Sequence, residues 1–364
     1  MLLSGIVILI IIGAVLVFIN GASFGSMPSG ESLYKIRRSP HFRNGQMQNL
    51  SPTPPLTEGS GFFSVLWQFI FDKSQDNRPR SPIPSRKTDL HHLDRNKNVL
   101  VWFGHSSYFM QVGGKTMLVD PVFSGHASPL GFTTRSFNGS DVYVVSDMPD
   151  IDYLFITHDH WDHLDYDTIL QLKTKVSKIF TGLGVADHLV FWGFDKNMIE
   201  EMDWDEQINP AEGFSVNTVT ARHFSGRGAQ RNKSLWTSFV LSAGGKKIFI
   251  GGDSGYDSHF GEIGKQFGPF DLAILEDGQY NVNWRYIHMM PEETVQAAID
   301  LGAKKLLPVH WAKFSLSLHA WNEPILRIIK EATRRNIHLL HPMIGELVDL
   351  DSDQVFATWW EGIQ

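Results

Sequence analysis

The chain reads as an α/β fold that delivers polar side chains from the ends of its strands, and three observations predict it. The apolar run Asp152-Tyr153-Leu154-Phe155-Ile156 has the pattern of a buried strand and leads directly into Thr157-His158-Asp159-His160-Trp161-Asp162-His163-Leu164-Asp165. Three later runs of strand character end in single polar residues, His223, Asp253 and His310. Segments of helical pattern separate these strands, among them one opening at Pro291-Glu292-Glu293 and reaching about Leu301, with acidic residues at the positive end of the helix dipole.

The nine residues Thr157 to Asp165 hold three imidazoles and three carboxylates. A chain extended through His158 and His160 points both rings to the same side, because side chains alternate with a period of two. The two rings can then share one cation. A turn into a helix two residues later lets Asp162 and His163 face a second ion. Neutral imidazole with carboxylate suits zinc, and iron or manganese fit the same donors. The bland alternative is a solvated loop that is merely rich in histidine. Against it stand the single His and Asp residues that end the later strands.

With 364 residues, 42% of them hydrophobic, a net charge of −7 and no cysteine, the chain has room for one large or two modest domains and no disulfide framework. The mildly acidic balance argues against a nucleic-acid partner. From Leu2 to Ile19 the sequence is almost wholly apolar, close to the roughly 17–25 residues that a membrane-spanning helix needs. Residues 1–20 are therefore expected to be an uncleaved transmembrane anchor. A signal peptide is the competitor, but its basic n-region is missing. Lys35, Arg37, Arg38 and Arg43 all follow the segment, which predicts a single-pass membrane protein with its catalytic domain on the cytoplasmic face.

Residues 21–97 read as a linker that becomes a strap, broken by Ser51-Pro52-Thr53-Pro54-Pro55 and Ser81-Pro82-Ile83-Pro84. Within it, residues 61–71 form an aromatic segment followed by Lys73, Arg78, Arg80, Arg86 and Lys87. Such a segment suits a membrane interface or the border of a lipid groove, and equally a core-packing helix. The remaining domain, residues 98–364, opens with strand-like Val99 to Gly104 and Tyr108 to Val112, a Gly113-Gly114 turn and a strand from Lys115 to Val119. Asp120 closes that strand as a candidate acceptor for a ligand histidine. His105 and Ser106 either line a pocket or form a buried hydrogen-bonded pair. Asp167 to Lys175 and Gly184 to Gly193 read as helices. Val216 to Ala221, Leu235 to Ser242, Lys247 to Ile250, Leu272 to Leu275 and Lys305 to Val309 read as strands.

His-x-His-x-Asp-His followed at long intervals by His, Asp and His resembles the metallo-β-lactamase superfamily. Gly104-His105-Ser106-Ser107, Asp120-Pro121-Val122-Phe123, Ala221-Arg222-His223, Gly251-Gly252-Asp253-Ser254-Gly255-Tyr256 and Pro308-Val309-His310-Trp311 are similar to its N-acylphosphatidylethanolamine-hydrolysing phospholipase D branch. The similarity runs roughly from Ser39 to Leu350. It implies a four-layer αβ/βα sandwich with two zinc ions at one edge. His158, His160 and His223 would hold one ion, Asp162, His163 and His310 the other, and Asp253 would bridge them. It also implies His288, just ahead of the Pro-Glu-Glu helix, as a general acid or substrate-positioning residue beside the catalytic Asp162 and Asp253.

Two ions sharing a hydroxide generate a nucleophile at neutral pH without an activated Ser or Cys. The expected reaction is phospholipase D-type cleavage of a phospholipid phosphodiester, on a substrate like N-acylphosphatidylethanolamine. A lactonase or another phosphodiesterase of the same fold uses similar metals, and a polar groove would favour the lactonase. A ribonuclease lacks its basic stripe. A non-enzymatic scaffold would be an odd use of seven ligands.

Overall fold

In the computed structural model, which describes residues 2–363, two mixed sheets pack face to face. After α1 (Leu2–Ile19) and α2 (Gly30–Arg38), a short hairpin of β1 (Phe42–Arg43) and β2 (Gln46–Met47) leads to α3 (Phe62–Phe71). The first sheet is built from β3 (Val99–Trp102), β4 (Tyr108–Val112), β5 (Lys115–Val119), β6 (Ile151–Ile156), β7 (Val176–Gly182) and β8 (Ile199–Met202), with α4 (Tyr166–Leu172) and α5 (Ala186–Phe191) in its crossovers. The second sheet comprises β9 (Gln207–Ala211), β10 (Phe214–Val219), β11 (Ser238–Ala243), β12 (Lys246–Ile250), β13 (Leu272–Glu276), β14 (Lys305–Val309) and β15 (His338–Leu339). Its crossovers hold α6 (His259–Phe267), α7 (Pro291–Asp300) and α8 (Glu323–Arg335), and β16 (Leu347–Asp349) returns to the first sheet beside β3.

Each sheet passes from an antiparallel meander to parallel strands. The order is β16-β3-β4-β5-β6-β7-β8 in one and β15-β14-β13-β12-β11-β10-β9 in the other. Parallel strands with helical crossovers must be apolar on both faces, and these are. On β6, Tyr153 and Phe155 join the core between the sheets, whereas Leu154 and Ile156 pack outward against Ile169 and Leu172 of α4 and Leu189 of α5. The second sheet is covered likewise by Phe260 and Ile263 of α6, Val295 and Ala298 of α7, and Ile325 and Ile328 of α8. The layers are therefore helix, sheet, sheet, helix, the αβ/βα sandwich expected from the sequence. Parallel neighbours share a direction, so β5 and β6 end side by side, as do β12, β13 and β14, and their C-terminal loops meet at one edge.

The N-terminus corrects the sequence reading. Among the described residues no helix is long and apolar enough to cross a membrane. Helix α1 has 18 residues, at the lower end of the roughly 17–25 that a membrane-spanning helix needs. The expected N-terminal transmembrane helix is thus overturned. So are the single-pass membrane localisation and the cytoplasmic placement of the catalytic domain that rested on it.

The strap is tied down along its length. Ile36 of α2 packs with Met47, Leu183, Trp204 and Trp236. Helix α3 has no buried residue, so the core-packing alternative fails. It is held instead by Asn283, whose Nδ2 donates to Gln68 Oε1 at 2.7 Å and whose Oδ1 lies 2.8 Å from Ser60 Oγ.

His259, the first residue of α6, is buried against Phe260, and burial pushes its pKa down from 6.5 to about 4. The folded chain resists a proton that the unfolded chain accepts, so stability is lost as pH falls from about 6.5 toward about 4. At about 1.4 kcal/mol per unit the loss approaches roughly 3 kcal/mol. Denaturant melts across this window should show that slope, and His259→Phe should flatten it; an unchanged slope would remove His259 as its source.

Candidate metal centre

Four strand ends supply the centre. Thr157 to His163 follow β6, His223 follows β10, Asp253 follows β12 and His310 follows β14. The turn at Gly251-Gly252 that aims Asp253 has no room for side chains, since a Cβ on Gly252 would lie 2.7 Å from Thr237 O. His310 sits in the left-handed region with φ 68°, and His105 opposite it has φ 52°. Their backbones clamp each other: His310 N donates to His105 O and His105 N to Trp311 O, both at 2.9 Å. That exchange joins the β3–β4 turn of the first sheet to the end of β14 in the second.

The structure brings all seven expected ligands together. His158 Nε2 lies 2.9 Å from His160 Nδ1, which lies 3.2 Å from His223 Nε2. Asp253 faces both halves, its Oδ2 3.1 Å from His163 Nε2, 3.7 Å from His223 Nε2 and 3.8 Å from His158 Nε2, and its Oδ1 3.3 Å from His310 Nδ1. The donor atoms form three groups: His158, His160, His223 and Asp253 make one and His105, Asp162, His163 and His310 a second, while Asp253, Glu276, His288 and His310 make a third that overlaps both, the atoms of each lying within 4.8 Å of one another.

The outer hydrogen bonds fix which ring nitrogen faces inward. His223 Nδ1 donates to Ile287 O at 2.8 Å and His163 Nδ1 to Asp120 Oδ2 at 2.8 Å. Both acceptors oblige a proton to sit on Nδ1, so the neutral His223 ring points its Nε2 lone pair into the cluster. Burial lowers the pKa of His163, but Asp253 and Asp162 outweigh it and raise it well above the usual imidazole range, so its Nε2 would offer a lone pair once a cation displaces that proton. Asp120 is itself held by Thr157, which donates from N at 2.9 Å and from Oγ1 at 2.6 Å. Asn49 of the strap brackets His223, donating to its O at 2.8 Å and accepting from its N at 3.0 Å.

These donors suit divalent cations. Burial pushes His158, His223 and His310 well below the usual imidazole range, so they are neutral, as ligands must be. Burial also pushes Asp253 and Asp162 upward, but His163 and its neighbours outweigh it and hold both well below the usual carboxylate range. Asp253 Oδ1 is buried without a hydrogen-bond partner among the described residues, which fits a carboxylate awaiting a cation.

His288 reaches the same cavity, with its ring 5.1 Å from that of His223 and 5.3 Å from that of His310. Its Nδ1 lies 2.6 Å from Oε2 of the buried Glu276, whose Oε1 accepts from Met289 N at 2.7 Å. Burial raises the Glu276 carboxyl to about 7, with His288 pulling it back. Sequence reasoning missed Glu276. Its signal was there, since β13 is an apolar strand that ends in a carboxylate in the same way that β12 leads to Asp253. It also left open what His105 and Ser106 do. Both are buried: His105 Nε2 lies 2.9 Å from Asp162 Oδ2, and Ser106 Oγ 2.9 Å from His310 Nδ1.

The β-lactamase superfamily domain profile matches residues 115–311, more than half of the chain. The chain belongs to the metallo-β-lactamase superfamily. An uncharacterized protein of Mycobacterium tuberculosis is 35% identical over 328 residues, which cover 89% of this chain and 88% of that protein. N-acyl-phosphatidylethanolamine-hydrolyzing phospholipase D 1 of Caenorhabditis elegans is 27% identical over 227 residues, 59% of this chain and 64% of the relative. The solved structure of a metallo hydrolase from the archaeon Ignicoccus hospitalis has the same fold, with a TM-score of 0.54 at 20% identity over 69% of this chain and 97% of that one. The superfamily protein described here is a metal-dependent hydrolase.

Purified protein should carry about two equivalents of transition metal per chain by elemental analysis. Asp253→Ala, which faces both donor groups, should cost bound metal at both positions and more activity than His288→Ala. Full metal content in Asp253→Ala would exclude the bridging role.

Proposed function

We propose that this hydrolase cleaves a phospholipid phosphodiester on the headgroup side, on a substrate like N-acylphosphatidylethanolamine, with two zinc ions held as described above. The observation that carries the reading is the shape of the cavity. A groove of about 660 Å³ has His160, Asp162, His223, Asp253, His288 and His310 at its polar end, while Leu56, Phe62, Val65, Phe69, Trp284, Ile287 and Leu316 supply apolar walls. An acyl chain matches such walls and a phosphate matches such an end. A lactone ring bearing sugar-like hydroxyls would want the polar walls that this groove lacks. The phospholipase D relative from Caenorhabditis elegans supports the same substrate class.

His158, His160 and His223 would hold one ion, Asp162, His163 and His310 the second, and Asp253 would lie between them. When bound, the ions supply an acidified water and positive charge for the phosphate's non-bridging oxygens. Asp253, ionised and buried, and Asp162, ionised and part-buried, would add the negative charge that keeps the cations in place. Glu276 holds His288 Nδ1, which leaves Nε2 as the atom that faces substrate. From there His288 positions the phosphodiester and hands a proton to the departing headgroup oxygen. Arg231 also lines the groove, its guanidinium 4.9 Å above the Phe224 ring, where it meets the charge of an anionic lipid.

Helix α3 is the access route from a lipid surface in this reading. Phe62, Val65 and Phe69 line the groove, while Phe63 at 82% exposure, with Trp67, Ile70 and Phe71, faces outward. The outward face can enter the headgroup region as the inward face receives an acyl chain. The double variant Phe63→Ser, Trp67→Ser should lower turnover on anionic vesicles by at least about tenfold, because each buried aromatic contributes on the order of 1.5–3 kcal/mol, and should leave turnover of a short-chain soluble lipid near wild type. Equal losses on both substrates would remove the interfacial role.

The bond that breaks is read by isotope. Hydrolysis of N-acylphosphatidylethanolamine in water enriched in heavy oxygen should label the phosphatidate phosphorus and leave the released N-acylethanolamine unlabelled. Label in a free fatty acid would mean attack at a carbonyl and would contradict the proposal, as would failure to turn over any phospholipid.

A further inference from the structure

The ligand-bearing loop has a second face, turned away from the groove, and it rests on a buried cation. Arg227 is 3% exposed. Its Nη1 donates to Asp159 O at 3.0 Å and to Leu164 O at 2.6 Å, while Nε and Nη2 both donate to Ser23 O at 3.1 and 2.9 Å. The two loop carbonyls flank residues 160–163, so one guanidinium pins both ends of the stretch that contains His160, Asp162 and His163. Its plane also lies over Trp161 in the middle of that stretch, 3.9 Å from the ring centre, and Phe24 packs edge-on against the same ring at 5.0 Å.

The Asp159 side chain is used on this face as well. It accepts from Gly226 N and Ser234 Oγ, each at 2.7 Å, and from His188 Nε2 at 3.3 Å. The His188 tautomer is set from the N-terminal segment, because Ser26 N donates to His188 Nδ1 at 3.1 Å and so places the ring proton on Nε2. The segment is stapled at both ends. Trp192 Nε1 donates to Ala22 O at 2.7 Å, and Ser29 donates from N and Oγ to Asp187 Oδ1 at 2.9 and 3.0 Å. Gly25 lets it approach this closely, since it has φ 74° and a Cβ there would lie 2.0 Å from His188 Nδ1.

We infer that Arg227 and residues 22–29 form a clamp that holds the loop in its metal-binding geometry, which makes Arg227 a positioning residue and the N-terminal segment a working part of the centre. Arg227 donates to no ligand side chain and lies outside the groove, so its effect is exerted through the loop backbone. Lysine cannot replace it, because a single ammonium cannot span three carbonyls in the plane that stacks on Trp161. The inference rests on the di-metal reading of His158 to His163, and its test separates the two.

Full-length protein stripped of metal is titrated with zinc against a chromophoric chelator, and the metal-free protein is melted in parallel. Wild type should bind two ions, and Arg227→Lys should bind them roughly 10–100-fold more weakly while its metal-free form still melts cooperatively near the wild-type temperature. Cobalt substitution should report the same change as an altered visible spectrum. Wild-type affinity in Arg227→Lys, or a lower melting temperature with unchanged affinity, would overturn the clamp; zinc binding to neither protein would instead refute the di-metal reading. Should Arg227→Lys fail to fold, Ser234→Ala decides, with several-fold weaker zinc binding expected and unchanged binding overturning the clamp. Gly25→Ala tests the segment, and wild-type affinity there would remove residues 22–29 from the clamp.

Discussion

The Asp253 carboxylate, buried to 3% exposure and facing four histidines that come from both sheets, is the interaction on which the rest of the centre depends. A carboxylate so deeply buried is costly unless positive charge or donors surround it. Burial lowers the pKa of His163, but Asp253 and Asp162 outweigh it and raise it well above the usual imidazole range, so its ring supplies that charge 3.1 Å from Asp253, and the same convergence creates the donor groups on either side. The fold makes the convergence possible by ending β6, β10, β12 and β14 at one edge. The His105–His310 backbone exchange then locks the two halves of the sandwich together at the point where the second group forms.

How much of this was legible in the sequence depended on whether the signal was local. His158, His160, Asp162 and His163 lie within six positions, and His223, Asp253 and His310 each end an apolar strand, so side-chain type and strand pattern together pointed to them. His105 lies 57 positions from Asp162, its partner. Asn49 lies 174 positions from His223, inside a stretch that reads as linker. No periodicity announces such contacts, because they arise when loops and strap close over the sheet ends. Glu276 was hidden for a different reason, since a carboxylate after a short apolar strand reads equally well as the first residue of a solvated loop.

The N-terminus shows where hydropathy alone misleads. Composition near the lower limit of a spanning helix suggested an anchor, yet Asn20-Gly21 ends the helix at Ile19, and Asn20 Nδ2 caps it by donating to Leu16 O at 2.7 Å. The residues that follow it contact the metal loop. Helix α3 posed the opposite problem. Its aromatic content fits a core or an interface equally well, and the fold leaves none of its residues buried.

The central claim is that Asp253 stands between two cations held by side chains from both sheets. Anomalous diffraction from crystals of the metal-loaded protein, recorded above and below the absorption edge of the bound element, tests it directly. Two peaks per chain are predicted, one beside His158, His160 and His223, the other beside Asp162, His163 and His310, with the Asp253 carboxylate in contact with both. A single peak, or two peaks of which Asp253 touches only one, would contradict the account.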